Sequence, residues 1–268
     1  MMQRLLLGDA RNWNAIGQYN NCATLAFLDP PYNTGKKFSR YDDSMEHTAW
    51  LDLLEQALWQ VKSALRDDGS IWVTMGGRKT LDCWNVLDDV FGRNCLVADI
   101  PWRRNYKATN ATGVSIVHDT ILVYGKNPKW RRRHGTTPKQ SQQDRYNKQD
   151  ESGRYRLTHA GEKTYLSELM ERGAMPVTWF DYGDFGHNEQ AHTETIDVCL
   201  EAFSYAKPER LLSQIINIAT NEGDLVLDSF VGSGTTLVCA SKMKRQWLGI
   251  EASLENINDY IIPRLKQL

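Results

Sequence analysis

The residues that follow 25–28 have an unusual composition for the end of a strand. The apolar run Leu-Ala-Phe-Leu leads directly into Asp29, Pro30, Pro31 and Tyr32. An ionised carboxylate only accepts hydrogen bonds, and proline fixes the backbone φ at about −65°. A rigid acceptor at the tip of a strand is suited to orienting a ligand. The alternative is a plain strand-exit turn, which Asp-Pro pairs often form.

A second candidate site lies in residues 225–242, which read LVLDSFVGSGTTLVCASK. A predicted strand ends at Asp228, a turn contains Gly232 and Gly234, and a helix follows. Glycine lets a ligand approach the backbone closely, and a helix N-terminus offers free N–H groups. The stretch lacks the Lys of a P-loop after Gly234, and it lacks the G-x-G-x-x-G of dinucleotide folds.

An acidic residue follows this turn at an informative distance. Glu251 lies 19 residues after Gly232, at the end of the predicted strand QWLGIE. In nucleotide-binding α/β folds an acid at this place holds the ribose diol. The two features favour an adenosine-containing ligand without a pyrophosphate, and a tight strand-to-helix turn without a ligand is the alternative.

The elements that would position these residues alternate between strand and helix. Apolar residues at helical spacing predict one helix over 49–65, ended by Asp67–Gly69, and another over 208–219, begun by Pro208 and ended by Gly223. The predicted strands are continuous apolar runs, typical of a mostly parallel sheet covered on both faces. These runs are residues 4–7, 24–28, 70–75, 96–100, 119–124, 225–227 and 246–250. The sequence therefore predicts a doubly wound α/β fold.

Charge is distributed unevenly along the chain. The net charge is −1, yet residues 126–172 hold twelve Lys or Arg and six Asp or Glu, a local charge of +6 that leaves −7 elsewhere. A basic face on an acidic body is typical of polyanion binding, and a solvated polar loop is the alternative. Because this stretch is poor in aliphatic residues and has no clear period, 126–178 is interpreted as an insertion between 1–125 and 179–268.

Together, DPPY at 29–32 and DSFVGSGTT at 228–236 resemble the motif pair of S-adenosylmethionine-dependent DNA amino-methyltransferases. The order of the first motif, the basic region, Lys207-Pro208 and the glycine turn resembles the β-class of that family. The segments DPPYNTGKKFSRYDD, HDTILVYGKN and FSYAKPERLL are similar to modification subunits of type III restriction systems. The similarity covers most of the chain outside about 129–175. This chain is much shorter than those subunits, and residue 229 is Ser where many relatives have Pro.

The resemblance implies a Rossmann-like methyltransferase sheet in permuted order and transfer of a methyl group to the N6 amine of an adenine flipped out of DNA. Catalysis falls to Asp29, Pro30, Pro31 and Tyr32. The Asp29 carboxylate and the Pro30 carbonyl would accept hydrogen bonds from the amine's two N–H groups, and Tyr32 would stack on the base. A cytosine-N4 enzyme is one alternative, since such relatives more often carry Ser in place of Asp29. A catalytically silent DNA-binding module of the same fold is another.

The resemblance also implies S-adenosylmethionine as the cofactor. Glu251 would bind its ribose, the glycine turn its methionine part, and Asp9 its adenine, although Asp9 is equally suited to cap a helix. Lys207 resembles the segment that closes over the methionine end. The implied contacts are Asp9, Lys207, Asp228, Phe230, Gly232, Ser233, Gly234, Thr235 and Glu251. We expect no metal, because the histidines lack helical i, i+4 spacing.

DNA is the expected macromolecular partner, and Lys and Arg side chains would contact its phosphates. The candidates form two clusters, RRNYK at 103–107 and KWRRR at 129–133. They are Arg103, Arg104, Lys107, Lys129, Arg131, Arg132 and Arg133. The resemblance implies that 126–178 is an inserted target-recognition region and that 1–125 and 179–268 form the catalytic methyltransferase domain. The sequence leaves open a homodimer, a restriction endonuclease partner and the DNA sequence that is read.

Other classes of protein are disfavoured by composition. No apolar run reaches the roughly 18 to 20 residues of a membrane span, and MMQRLLLGD lacks the roughly 7 to 15 apolar residues of a signal-peptide core. A cytoplasmic protein is therefore expected. The five cysteines are widely spaced without a C-x-x-C pair, which predicts reduced thiols.

Overall fold

The computed structural model describes residues 2–37, 42–105, 113–199, 201 and 203–268. Within these ranges the strands are β1 Gln3–Leu7, β2 Ala23–Leu28, β3 Lys36–Lys37, β4 Asp42–Asp43, β5 Leu65–Met75, β6 Leu96–Arg103, β7 His118–Gly125, β8 Lys148–Asp150, β9 Gly153–Leu157, β10 Lys163–Tyr165, β11 Leu225–Asp228 and β12 Gln246–Glu251. The helices are α1 His47–Ala64, α2 Thr80–Phe91, α3 Gln140–Gln143, α4 Leu166–Arg172, α5 Tyr182–Phe185, α6 Asn188–Ile196, α7 Glu209–Ala219, α8 Thr235–Lys242, α9 Leu254–Asn256 and α10 Ile262–Lys266. Short 3₁₀ turns lie at Gly77–Lys79 and Arg93–Cys95, and a π-helical turn, Ile257–Ile261, joins α9 to α10.

Seven strands form one sheet in the order β1-β12-β11-β2-β5-β7-β6. The pairs from β1 to β5 in this order are parallel, whereas β7 is antiparallel to both β5 and β6. The expectation of a mostly parallel α/β sheet is confirmed. The direction of β7 was not predicted, and it brings the start of β7 to the edge where the parallel strands end, since Thr120 pairs with Met75.

The connections change direction in the middle of this sheet. β2 and β11 are neighbours, with Ala26 opposite Leu227. The chain leaves β2 through α1 towards β5 on one side, and leaves β11 through α8 towards β12 on the other. In open α/β sheets a crevice forms beyond the carboxyl ends of strands at such a switch. Asp29 and Asp228 lie at this place.

Helices cover both faces of the sheet. Every residue of β2 is buried. Ala26 and Leu28 pack in a cluster with α1 and α2, whereas Leu25 and Phe27 pack in a second cluster with α7 and α8. Burying a Leu or Phe side chain contributes about 1.5 to 3 kcal/mol, so the strand is held firmly from both sides and its end is positioned accordingly.

The two predicted helices are present with small changes at their ends. α1 ends at Ala64, and Leu65 already pairs with Ala23 in the sheet. The prediction that Asp67–Gly69 ends the helix was therefore wrong, because these residues belong to β5. Pro208 caps α7 and does not lie in its first turn.

The basic stretch 126–178 contains a small antiparallel sheet of its own, in the order β10-β9-β8. α4 packs on β9, and Trp130 and Tyr146 are buried in this part of the chain. The interpretation of 126–178 as an inserted target-recognition region stays a prediction.

Two kinds of feature are missing from the described ranges. None of their helices is long and apolar enough to cross a membrane. Their His, Cys, Asp and Glu side chains form no group of three or more placed to hold a metal ion. The five cysteines are free thiols.

Candidate active site

One large cavity opens at the carboxyl edge of the sheet where the connections change direction. Its volume is about 910 Å³. It is lined by Asp29–Tyr32 after β2, by Asp228–Ser233 after β11, and by Glu251 at the end of β12. Pockets for small ligands span roughly 300 to 1,000 Å³, so this cavity has room for more than one small group. The two motifs predicted from the sequence therefore share one site.

The Asp29 carboxylate is fixed by a bond to each of its oxygens. Thr74 Oγ1 donates to Oδ1 at 2.6 Å, and Lys207 Nζ donates to Oδ2 at 2.5 Å. The Lys207 side chain is only 6% exposed, so its ammonium is a largely desolvated counter-ion for the carboxylate. A carboxylate has about four lone-pair sites, and the Asp29 side chain is 25% exposed, which leaves acceptor capacity directed at the cavity.

The segment after Asp29 is held by bonds from two other elements. The buried indole of Trp50 in α1 donates from Nε1 to the Pro31 carbonyl at 2.7 Å. The buried carboxylate of Asp43 accepts the backbone N–H groups of Asn33 and Thr34 at 2.8 and 2.9 Å. Asn33 has φ of 51°, a left-handed conformation that these bonds help to maintain. No donor in the described ranges bonds to the Pro30 carbonyl, which lines the cavity.

The carboxylate of Glu251 accepts hydrogen bonds from the turn after β11 and from residues that follow β12. Glu251 Oε2 accepts the N–H of Gly232 at 2.8 Å, and Oε1 accepts from Ser253 N and Asn256 Nδ2 at 2.9 and 3.2 Å. Gly232 has φ of 54°, and a Cβ there would lie 3.3 Å from Phe203 Cζ. Gly234 has φ of 84° at the N-cap of α8. Left-handed backbone therefore favours glycine at both positions, and the close approach of Phe203 adds to this at Gly232.

A buried arginine from the end of the chain supports the same turn. Arg264 in α10 is 3% exposed, and its Nη1 donates to Ser233 O and Thr235 Oγ1 at 3.0 and 2.9 Å. Its Nη2 donates to Glu209 Oε1 at 3.0 Å, which supplies the opposite charge. The C-terminal helix thus fixes the carbonyl and hydroxyl groups at the start of α8.

The remaining predicted cofactor residues lie in or beside the cavity. Asp9 follows β1, lines the cavity, and forms an ion pair with Arg11 at 2.6 Å. The side-chain hydrogen bond from Arg11 lowers the pKa of the Asp9 carboxyl. Phe230 and Thr235 also line the cavity. Their roles towards a ligand stay predictions.

The predicted DNA contacts are separated by the fold. Arg104 lines the cavity, and the guanidinium of Arg103 stacks over the ring of Tyr182 at 4.8 Å. Lys107 lies outside the described residues. The structure thus brings one member of the first cluster into the site.

The second cluster, Lys129 and Arg131–Arg133, lies at the opposite edge of the sheet. Arg133 Nη2 pairs with Asp68 Oδ2 at 2.5 Å, near the start of β5. Thr74 lies six positions after Asp68 along the extended strand β5, so the two residues are on the order of 20 Å apart. The structure does not bring this cluster into the cavity, and its contact with DNA stays a prediction.

Several residues of the site were missed by sequence reasoning. Thr74 and Trp50 lie inside a predicted strand and helix, where their patterns indicate burial only. Asp119 lines the cavity from the start of β7, and Asn188 from the start of α6. The site lies at the edge where the parallel strands end, so a residue at the start of a strand reaches it only if that strand runs antiparallel. The sequence pattern does not show the direction of a strand.

Burial of the Asp228 carboxyl predicts a measurable pH dependence of stability. Its carboxyl is 2% exposed, and desolvation raises its pKa from 3.8 to about 7, against hydrogen bonds from Thr236 and the Phe230 N–H that lower it. The folded protein therefore holds a proton that the unfolded chain releases between these values. Stability associated with this group is present below about pH 4 and is lost as the pH rises to about 7.

We expect Asp228→Asn to remove this part of the pH dependence. The difference in free energy of unfolding, variant minus wild type, should be larger at about pH 8 than at about pH 5. The expected increase is on the order of 3 kcal/mol, at ~1.36 kcal/mol per pKa unit. Urea titrations at these pH values measure it. Asp52→Asn, at an exposed position of α1, is the control. Parallel stability profiles for wild type and Asp228→Asn would contradict the buried-acid explanation.

Comparison with known proteins identifies the family from the sequence, and solved structures share the fold. The sequence profile of the family described as DNA methylase, which covers N6 and N4 methyltransferases, matches residues 23–262. The type II methyltransferase M.EcaI of Enterobacter cloacae is 28% identical over 87% of this chain and 62% of its own length. The StyLTI Mod subunit of a Salmonella typhimurium type III restriction-modification enzyme is 23% identical over 81% of this chain and 46% of its own length. The chain thus spans about half to two thirds of these relatives.

Solved structures show the same fold at low sequence identity. The PvuII DNA methyltransferase, described as cytosine-N4-specific, has a TM-score of 0.65 and 17% identity, covering 99% of this chain and 86% of that chain. The M1.HpyAVI–SAM complex has a TM-score of 0.58 and 18% identity, and it covers 100% of both chains. The profile match spans most of the chain and includes both motifs of the cavity. This chain therefore belongs to the N6/N4 DNA methylase family.

Proposed function

We propose that this protein transfers a methyl group from S-adenosylmethionine to the N6 amine of an adenine flipped out of DNA. The observation that supports this most directly is the placement of Asp29 beside the turn after β11. The two motifs lie on adjacent strands and share one cavity with Glu251. Family membership and the type II and type III relatives support DNA as the substrate.

The cavity fits a polar, adenosine-containing cofactor. Ser229 Oγ and Asn256 Oδ1 are buried, line the cavity and have no hydrogen-bond partner within the described ranges. Buried polar groups of this kind are usually satisfied, so a polar ligand would complete them. Glu251 would hold the ribose hydroxyls, and the turn Asp228–Gly234 would line the methionine part. A sulfonium methyl group bound there would supply the electrophile.

The chain's own residues would prepare the amine for attack. The adenine N6 lone pair is delocalised into the ring, which makes this nitrogen a poor nucleophile. Asp29 and the Pro30 carbonyl would accept hydrogen bonds from its two N–H groups, so that the nitrogen becomes pyramidal and its lone pair is directed at the methyl group. Thr74 and Lys207 hold the carboxylate in place beforehand, which is preorganisation of the acceptor. Tyr32 would stack on the base, and positioning then supplies much of the rate.

Adenine is preferred over cytosine as the target because of residue 29. Both bases carry an exocyclic amine, so the cavity's hydrogen-bond acceptors alone suit either base. The motif DPPY, with Asp at residue 29, resembles that of adenine-N6 enzymes. Cytosine-N4 relatives more often carry Ser at this position. Arg103 and Arg104 are the proposed phosphate contacts nearest the site, Lys107 is a further proposed contact, and such contacts would make binding salt-dependent.

Transfer of labelled methyl groups tests the proposed activity. Purified protein is incubated with methyl-labelled S-adenosylmethionine and unmethylated genomic DNA, with RNA and an unrelated protein as parallel substrates. We expect label in DNA alone. Absence of transfer to any DNA, with cofactor binding intact, would contradict the proposed activity and favour a catalytically silent DNA-binding module of the same fold.

A further inference from the structure

Asp119 is a buried carboxylate beside the cavity that the proposed reaction does not use. It is the second residue of β7 and is only 4% exposed. Because β7 runs antiparallel to β5, its start lies at the edge of the sheet where Asp29 lies. A buried charge is costly unless it is paired and hydrogen-bonded, so its partners show what the carboxylate does there.

The two oxygens of Asp119 face different partners. Oδ2 accepts a hydrogen bond from the Tyr32 hydroxyl at 3.2 Å. Oδ1 lies 2.8 Å from Arg104 Nε, an ion pair at the rim of the same cavity. Desolvation raises the pKa of Asp119, while the charges of Arg104 and Lys207 oppose this and that of Asp29 adds to it. Arg104 is thus the main counter-ion of the buried carboxylate.

Gly76 shows how closely these groups are packed. A Cβ at this residue would lie 2.5 Å from Asp119 Oδ1 and 2.9 Å from Tyr32 Cε2. The φ of Gly76 is −121°, which any residue adopts, so the requirement for glycine comes from this close approach. The end of β5 therefore leaves room for the ring of Tyr32 and the carboxylate of Asp119 to meet.

We propose that Asp119 is a positioning residue that fixes the ring of Tyr32 for stacking on the target base. A tyrosine side chain can rotate about its χ1 and χ2 angles. The hydroxyl oxygen lies on the χ2 axis, so its hydrogen bond to Asp119 fixes χ1 and the position of the ring, and the close packing of the ring edge at Gly76 limits rotation about χ2. The ion pair with Arg104 lowers the cost of burying this carboxylate. The inference rests on the proposed function, because stacking matters only if a base enters the cavity.

A double-mutant cycle on the full chain tests this role. The variants are Tyr32→Phe, Asp119→Ala, their combination, and Asp119→Asn, which retains an acceptor for the hydroxyl. Loss of a hydrogen bond to a charged group corresponds to roughly tenfold or more, so Asp119→Ala should lower kcat/KM for DNA by about that factor. In the Tyr32→Phe background the same change should cost only about two- to threefold. Asp119→Asn should retain most activity, and the Kd for S-adenosylmethionine should be unchanged throughout.

Each other outcome overturns the proposal in a recognisable way. Equal losses from Asp119→Ala in the wild-type and Tyr32→Phe backgrounds would show that Asp119 does not act through the hydroxyl. A parallel rise in the cofactor Kd would show a general structural role. If Asp119→Ala does not fold, Asp119→Asn is compared with Tyr32→Phe instead. A kcat/KM for DNA as low in Asp119→Asn as in Tyr32→Phe would overturn the proposal, because the retained acceptor should preserve the hydrogen bond. Wild-type protein that transfers no methyl group to DNA would overturn the proposed function, and this inference with it.

Discussion

Asp29→Ala is expected to abolish methyl transfer while leaving cofactor affinity nearly unchanged. Asp29 is the acceptor proposed for the amine, and it is held by Thr74 and Lys207 at 2.6 and 2.5 Å. Without it, the amine loses the group that orients its lone pair. Removing one preorganised electrostatic contact commonly costs about 10²- to 10³-fold in rate, and we expect a loss on the order of 10³-fold in single-turnover transfer.

The fold should survive this change, which keeps the result interpretable. Lys207 would lose its ion-pair partner but would still have the charge of Asp119 nearby. Circular dichroism and the Kd for S-adenosylmethionine are the checks on folding. Asp52→Asn, at the exposed position on α1, is the matched control and should transfer methyl groups at the wild-type rate. Turnover by Asp29→Ala within tenfold of wild type would show that another group orients the amine.

Glu251→Gln should show the opposite pattern to Asp29→Ala, with a large loss of affinity for S-adenosylmethionine. The carboxylate is 8% exposed, and its Oε2 accepts the Gly232 N–H at 2.8 Å. An amide has one acceptor oxygen, so its NH₂ group would face either the Gly232 N–H or the donors of Ser253 and Asn256. The ribose hydroxyls would also lose their charged acceptor. Hydrogen bonds to charged groups contribute about 1.5 to 3 kcal/mol each, and we expect the Kd to rise on the order of 100-fold.

Calorimetric titration with S-adenosylmethionine measures this effect directly. Glu255→Gln is the control, because residue 255 is exposed and does not line the cavity. At saturating cofactor the Glu251→Gln variant should recover much of its transfer rate, unlike Asp29→Ala. An unchanged Kd for this variant would remove Glu251 from the proposed ribose site.

The two motifs could be located from sequence because each follows a strand that is buried on both faces. Such a strand is a continuous apolar run, and the polar residue that ends it is conspicuous, as Asp29 and Asp228 are. Parallel strands end at one edge, so the sequence also indicates that the two motifs share a site. The structure and the family profile confirm the fold and the family.

Other parts of the site depend on information that a local pattern does not contain. Lys207 and Asp29 are separated by 178 residues, and nothing near either one indicates an ion pair. The apolar run of β7 is the same whether the strand is parallel or antiparallel. Because β7 is antiparallel, Asp119 at its start reaches the cavity, and Arg133 after its end reaches Asp68 at the far edge.

The identity of the methylated base is the most direct test of the central claim. DNA modified by the wild-type protein is digested to nucleosides, which are separated and identified by mass spectrometry against standards. We expect N6-methyladenine and no N4-methylcytosine. N4-methylcytosine as the product would contradict the assignment of adenine as the base that Asp29 and Tyr32 receive.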